Sequence, residues 1–195
     1  MLPGRRRNRE PAPGRFAGHG LRPAAGYTLI EALLVCAIVA VVTAVAVPVS
    51  LAGVNRARGW AGTRFVAARL VRARAQAVGR GAAVALRFAG DGALVTLASF
   101  VDDNRNGVLT GDIESGLDPP LDEPVPLAAL FPGVVITAEG GVRLFSFSPD
   151  GTSSTGSIYL QSRDGSRFAV RVLGATARVR IERYVPARDG WVEAF

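Results

Sequence analysis

The segment GYTLIEALLVCAIVAVVTAVAVPVSLAGVN, residues 26–55, decides how this 195-residue chain is organised. It carries one carboxylate, Glu31, and then no charged side chain from residue 32 to residue 55. As a helix, that uncharged stretch would span ~36 Å, and the hydrocarbon core of a bilayer is about 30 Å thick. The segment therefore predicts a single membrane crossing over residues 27–54.

Residues 1–26 precede this span and are rich in Arg, Pro and Gly, without hydrophobic periodicity. They read as a disordered basic leader. Six arginines and a single acid, Glu10, occur before Gly26, so most of the net charge of +7 lies in the leader. Basic residues before a span favour a cytoplasmic N-terminus. We therefore expect an exported C-terminal body, and the high net charge does not by itself indicate a nucleic-acid-binding body.

An ordinary secretory signal peptide is the alternative interpretation of the same segment. Ala44-Val45-Ala46 has the small-x-small form of a signal cleavage site. Two features weigh against it: Glu31 interrupts the start of the apolar region, and Pro48 would lie just past the cut. A carboxylate near the end of a membrane helix is costly unless it is paired, which makes Glu31 a candidate functional residue.

The motif Gly26-Tyr27-Thr28-Leu29-Ile30-Glu31 resembles the prepilin cleavage motif of type IV pilins and type II secretion pseudopilins. In those proteins a prepilin peptidase cuts after the glycine and methylates the new N-terminal residue. The resemblance implies cleavage after Gly26, methylation of Tyr27 and an assembly role for Glu31. Pro48 lies where these proteins often carry a helix-loosening proline, whereas Tyr27 replaces the usual phenylalanine or methionine.

Residues 55–79 continue with a helical period. Four residues share one face by their spacing, and we expect this face to pack on the core: Trp60, Ala67, Val71 and Val78. Most arginines of this segment fall on the opposite side, where they are solvated or meet lipid phosphates or a neighbouring subunit. Gly79 and Gly81 are predicted to end the helix.

Residues 80–195 change to a strand-like pattern and form a predicted β-rich head. Short runs at 82–88, 93–100, 134–137, 142–147, 157–161, 168–173 and 178–184 are separated by turn residues, and Gly90-Asp91-Gly92 marks a hairpin. The predicted fold class is α+β, a long N-terminal helix packed on a small antiparallel sheet or sandwich. Residues 143–181 resemble the C-terminal pattern of the GspH/FimT branch of minor pseudopilins and minor pilins, although Ala177 stands where glycine is usual.

Residue usage disfavours an enzyme. The chain has one cysteine, Cys36, inside the apolar run, one histidine, His19, in the leader, and no lysine. The residues beyond His19 therefore exclude four kinds of site: catalytic triads with histidine, Cys-His pairs, histidine-ligated zinc and Schiff-base lysines. Only carboxylate-pair chemistry remains, and no pair stands out.

An acidic insertion, residues 102–123, holds a candidate calcium loop. Asp102, Asn104, Asn106 and Gly107 stand at relative positions 1, 3, 5 and 6, as in a calcium-binding loop, and Asp112 or Glu114 could close it. No position corresponds to the closing glutamate of an EF-hand. The alternative is a surface turn rich in Asn, Asp and Gly, so no cofactor is certain and calcium is the one candidate.

Three arginines near the C-terminus form the other candidate site: Arg178, Arg180 and Arg183. On a strand, Arg178 and Arg180 share a face, while Val179 and Ile181 point to the core. Two interpretations stay open. Either these arginines are solvated edge charges that oppose aggregation between sheets, or they contact DNA phosphates.

The resemblance implies a minor pseudopilin of a type II secretion system, anchored in the bacterial inner membrane with its head in the periplasm or exported. Its expected partners are a prepilin peptidase and other pseudopilins or pilins. The alternative is a minor type IV pilin of a DNA-uptake or adhesive pilus.

Overall fold

The computed structural model describes residues 26–138 and 143–194. The predicted leader before Gly26 lies outside the described residues, as does Val142, the first residue of one predicted strand. The chain divides into two compact units, Met1–Thr43 and Ala44–Phe195. Helix α1, Leu29–Arg80, begins in the first unit and ends in the second.

Short elements follow α1 in the second unit. In chain order they are β1 Val84–Ala89, β2 Thr96–Val101, α2 Thr110–Ser115, β3 Val125–Pro126, α3 Leu127–Leu130, β4 Val135–Ala138, β5 Leu144–Phe147, β6 Gly156–Gln161, β7 Arg167–Leu173, β8 Arg178–Val185, a 3-10 turn Pro186–Arg188 and β9 Gly190–Glu193. The strands form two sheets with the orders β3-β2-β1-β5 and β4-β6-β7-β8-β9. All paired strands are antiparallel, so the predicted α+β class is confirmed.

The predicted hairpin is present between β1 and β2. Ala89 pairs with Thr96 next to the turn, and Gly90 and Gly92 both have positive φ angles, of 90° and 61°. Such angles strain residues with a Cβ atom. At Gly90 an added Cβ would also lie 2.8 Å from the carbonyl oxygen of Leu94, so this turn requires glycine.

The core lies where the last part of α1 packs against both sheets. The buried residues of α1 are Gly59, Gly62, Thr63, Val66, Ala67, Leu70, Ala73 and Ala77. Their partners include three fully buried phenylalanines, Phe145 of β5, Phe147 of β5 and Phe168 of β7. Five of these eight buried helix residues are glycine or alanine, and their small size lets the sheets approach the helix backbone closely.

The predicted core face of α1 is confirmed in part, because Ala67 is buried and Trp60 packs against the core, but it was wrong for Val71 and Val78. Val71 and Val78 are each 53% exposed, and the buried stripe lies roughly 100° around the helix from them. The physical reason is close packing at small residues, since an added Cβ at Gly59 would lie 2.7 Å from Cβ of Ser162. Gly79 lies inside the helix, and Gly81, with φ of 65°, follows its last residue.

The acidic insertion covers the other face of the four-stranded sheet. Val108 is buried there with Ala83 and Ala85, and Ile113 of α2 packs against the same cluster. The insertion therefore carries apolar residues on its inner side and carboxylates elsewhere, and it is part of the folded head.

Candidate functional site

The predicted cleavage motif lies at the start of α1. The hydroxyl oxygen of Thr28 accepts a hydrogen bond from the backbone N–H of Glu31 at 3.2 Å, so Thr28 caps the helix that begins at Leu29. Threonine followed three residues later by glutamate is a capping signature. This structural role of Thr28 was missed, although that spacing indicates it.

Glu31 and Tyr27 are exposed within this segment. Tyr27 is 84% exposed, and Glu31 lies in the first helical turn. A carboxylate at this place interacts favourably with the positive end of the helix dipole. Both side chains are accessible to a peptidase or a second subunit, and the cut after Gly26 stays a prediction.

The following part of α1 is apolar and open. Its most apolar stretch has no buried residue, and by length and composition α1 can cross a membrane. Large side chains such as Val41, Val45 and Val49 are 65–69% exposed. Contiguous apolar surface of this kind marks a membrane or protein interaction site.

The candidate calcium loop is organised by its own hydrogen bonds. The carboxylate of Asp102 accepts the backbone N–H groups of Arg105 at 2.7 Å and of Gly107 at 2.9 Å. The side-chain amides of Asn104 and Asn106 both donate to Oδ2 of Asp112, at 3.0 and 2.9 Å. The four predicted ligands are therefore gathered in one loop.

Of the two predicted carboxylate ligands, Asp112 is the more accessible, since Asp102 is buried. Side-chain hydrogen bonds from Asn106 and Asn104 hold its pKa below the ordinary value. Within residues 26–138 and 143–194, no group of three or more His, Cys, Asp or Glu side chains stands together as a metal site. The calcium site stays a prediction.

The end of the acidic insertion is tied to the helix by an ion pair that the sequence did not indicate. Nη2 of Arg69 lies 2.7 Å from Oδ2 of Asp122, and both side chains are mostly buried. Asp122 also accepts hydrogen bonds from the backbone N–H of Ser99 at 2.9 Å and from its hydroxyl at 3.2 Å. One carboxylate thus joins the insertion to α1 and β2.

The three C-terminal arginines all lie on β8 but not on one face. Arg178 and Arg180 share the outer face, where each lies about 4 Å from the carboxylate of Glu193, at 3.9 and 4.0 Å. Val179 and Ile181 pack on the core as predicted. Arg183 shares their side of the strand, because it pairs with buried Phe168 of β7. The structure therefore brings two of the three arginines together.

Residues 63–177 match the model of the family described as type II transport protein GspH. Residues 21–47 match the model of the prokaryotic N-terminal methylation motif. No curated protein sequence is significantly similar to this chain.

Two solved structures are similar to the chain. One is the type IV minor pilin FimU of Pseudomonas aeruginosa, 18% identical, with 65% of this chain and 90% of that chain covered and a TM-score of 0.49. The other is the minor pseudopilin EpsH of the Type 2 Secretion System of Vibrio cholerae, 11% identical, with coverages of 64% and 95% and a TM-score of 0.47.

Proposed function

The chain belongs to the family of the type II transport protein GspH, and on this premise we propose that it is a minor pseudopilin of a type II secretion system. The observation that carries the proposal is the family match over residues 63–177, most of the packed head. The chain acts by assembling with related subunits into a pilus-like structure, and it is not an enzyme.

The exposed apolar part of α1 supports anchoring in the bacterial inner membrane. In this proposal the leader is cytoplasmic and the head is periplasmic or exported. The match to the methylation motif over residues 21–47 supports processing by a prepilin peptidase, with the cut after Gly26 and methylation at Tyr27.

Glu31 provides the assembly contact. After cleavage, its carboxylate pairs with the free amine of Tyr27 of a neighbouring subunit. Each charge alone would be costly in the membrane, and pairing offsets that cost. The exposure of both residues supports this role, because the described residues leave both side chains open.

The test is the variant Glu31→Ala in cells that contain the rest of the machine. We expect normal cleavage by intact mass but little co-purification with the other pseudopilins and a large loss of secretion. The matched control is Glu123→Ala, which removes an exposed acid from the head. Normal incorporation of Glu31→Ala into filaments would remove Glu31 from the mechanism.

A minor type IV pilin for DNA uptake or adhesion is the second candidate. Exposed Arg178 and half-buried Arg180 favour it, while Glu193 beside them opposes phosphate binding. A gel shift over a range of salt tests DNA binding, and two phosphate contacts imply a log-log salt slope of about −2. Tight binding that disappears in the Arg178→Ala, Arg180→Ala double variant, together with loss of transformation but not secretion on gene deletion, would replace the secretion role.

A further inference from the structure

The part of α1 that packs on the sheets carries a second row of residues on its solvent side. These residues are spaced alternately by three and four positions, and all of them are exposed: Ala61, Arg64, Ala68, Val71, Ala75 and Val78. We call this row the outer seam. It spans ~26 Å of helix, and its spacing is the heptad pattern by which two α-helices pack along each other.

The outer seam lies away from the face that α1 buries in the head. Leu70 and Ala73 are fully buried, and by their helical spacing they lie on the other side of the helix from the seam. Val71 and Val78 are each 53% exposed. Their helical spacing therefore belongs to a second pattern, distinct from the one that forms the core of the head.

The shape of the outer seam fits a closely packed second helix. Alanine occupies one of the two seam positions in three successive heptads, at Ala61, Ala68 and Ala75. Small side chains at such positions let two helix axes approach to about 8 Å. The two valines supply apolar contact area at the other seam position, and Arg64 is the one charged residue among the six.

The charge on this helix is unbalanced. From residue 32 to residue 80, α1 has seven arginines and no Asp or Glu. Two of the arginines, Arg56 and Arg69, pair with carboxylates of the head. Among the residues that the structure describes, the other five form no ion pair within 4.0 Å: Arg58, Arg64, Arg72, Arg74 and Arg80. In the heptad pattern, Arg72 and Arg74 flank the seam on its two sides, so the seam calls for an acidic partner.

A second copy of this chain does not provide that partner. Two outer seams placed together would bring arginine against arginine, because residues 55–80 contain no acid, and like charges across an interface are costly. Residues 32–54 of a second copy carry no charge that could pair with Arg64. Within the described part of the chain, the other α-helices have only six and four residues, which is too short to cover the seam. The matching helix therefore belongs to a different protein.

We propose that the outer seam binds an α-helix of a different pseudopilin, with small or apolar residues facing the seam and acidic residues opposite Arg64, Arg72 and Arg74. The inference rests on the proposed function, which supplies neighbouring subunits. Arg64 fixes the register of the two helices, because a charge enclosed in such a contact is costly without its opposite charge. Arg72 and Arg74 select the partner by charge. The seam thus places this chain beside an acidic subunit and not beside its own copy.

The experiment uses the full chain in cells that contain the rest of the machine. The photoreactive amino acid benzoylphenylalanine replaces Val71, which is exposed in the seam, and irradiated complexes are mapped by mass spectrometry of the cross-linked peptides. We expect a cross-link to a helix of another pilin-like subunit that carries acidic residues at the contacted positions. Benzoylphenylalanine in place of Arg188, an exposed residue of the head, should not reach that helix.

Charge reversal tests the pairing itself. The double variant Arg64→Glu, Arg72→Glu should lower co-purification of the mapped subunit by about tenfold or more, because loss of one charge leaves the other enclosed and unpaired. Arg64→Lys, Arg72→Lys keeps the charge and should retain most of the binding. Exchanging the mapped acids of the partner for arginine should restore binding to the Glu variant. Arg188→Glu is the matched control, since Arg188 is exposed and lies outside the seam.

A bulky residue tests the close approach of the two helices. Ala68→Trp should lower co-purification to a similar extent while the near-ultraviolet circular dichroism of the folded head stays that of the parent with one added tryptophan, because Ala68 is exposed. Ala187→Trp, at an exposed position of the head, should leave binding unchanged.

Processing and co-purification of the parent chain separate this inference from the proposed function. A chain that is not cut and co-purifies with no pilin-like subunit contradicts the proposed function and the helix contact with it. A chain that is cut and co-purifies, but equally well as the Arg64→Glu, Arg72→Glu variant, overturns the helix contact alone. Cross-links from position 71 only to lipid, to a second copy of this chain or to a helix without acids also overturn it.

Discussion

Residues 29–54 and residues 55–80 of α1 form one continuous helix with opposite surroundings. In the first, which we call the anchor segment, large apolar side chains such as Leu34 and Val45 are 60 and 65% exposed. In the second, the core segment, eight residues are buried, and most of them are small. The more hydrophobic segment is therefore the one whose side chains are exposed among the described residues.

This difference shows that shape, more than hydrophobicity, decides which part of the helix enters the core. Gly59, Gly62 and Ala73 offer little apolar area, but they let the sheets reach the helix backbone. The anchor segment offers bulky β-branched side chains, and its most apolar stretch has no buried residue. Its stability must come from lipid or from other subunits, and this division can be tested segment by segment.

The largest expected effect concerns processing, which acts on the anchor segment alone. Co-expression with a prepilin peptidase should remove residues 1–26 and methylate Tyr27. The variant Gly26→Val should abolish both the cleavage and the methylation, because it puts a side chain at the position that the peptidase requires to be glycine. Intact mass measures the outcome. Gly79→Val is the matched control, since Gly79 has open space around it. A cut after Ala46 in the parent chain would overturn the pilin-type anchor in favour of a signal peptide.

The second effect contrasts leucines of the two segments. Leu70 is fully buried, so Leu70→Ala should lower the free energy of unfolding of the head by about 2–5 kcal/mol. Leu34→Ala in the anchor segment should change it by less than about 0.5 kcal/mol. Urea unfolding of the full chain in detergent, followed by near-ultraviolet circular dichroism, measures both.

Val71→Ala provides the control within the core segment. Val71 neighbours Leu70 in sequence but is 53% exposed, so its removal should cost less than about 0.5 kcal/mol. An equal cost for Val71 and Leu70 would show that the buried face of α1 is placed wrongly and would restore the face that the spacing of Trp60 and Val78 predicts.

The sequence was sufficient for the features with strong local signals. The uncharged run, the Gly26 motif and the hairpin between β1 and β2 each depend on residues close in sequence, such as Gly90 and Gly92. The buried face of the core segment could not be predicted, because Gly59 and Gly62 carry no hydrophobic signal and their role depends on how closely the sheets approach. Strand β3 is only two residues long and has too little pattern to detect, and β9 was also missed.

The candidate sites divide in the same way. The loop from Asp102 to Asp112 is local, and the structure gathers the predicted residues. The pair of Arg69 with Asp122 joins residues far apart in the chain, and Arg183 was grouped with Arg178 and Arg180 only because they are close in sequence. Alternation along β8 separates it from them.

The third effect tests the polar contact between the core segment and the insertion. Asp122→Ala leaves the guanidinium of Arg69 and the backbone N–H of Ser99 without their mostly buried partner. We expect a loss of about 1–3 kcal/mol in the unfolding free energy of the head. The same urea unfolding measures it.

Asp91→Ala is the matched control for this contact. Asp91 forms an ion pair with Arg143 at 2.8 Å, but its side chain is 85% exposed. Exposed pairs contribute about 0–1 kcal/mol. If the two variants cost the same, the insertion is held by its apolar residues Val108 and Ile113 and not by Asp122.

The smallest expected effect is calcium binding by the loop of Asp102, Asn104, Asn106 and Asp112. Calcium should raise the unfolding temperature of the head and leave the helical signal of the anchor segment unchanged, because the loop belongs to the packed unit. Binding at ten times the Kd stabilises by about 1.4 kcal/mol, which corresponds to about 3–5 °C for a chain of this size.

Asp112→Asn is the informative variant, since Asp102 also accepts two loop N–H groups and its loss would unfold the loop without calcium. The lowered pKa of Asp112 keeps its carboxylate charged as the pH falls from neutral, so the calcium effect should be the same at about pH 7 and about pH 6. An unfolding temperature that calcium does not change, or changes equally in Asp112→Asn, would make the loop a surface turn whose amides and carboxylates satisfy only one another.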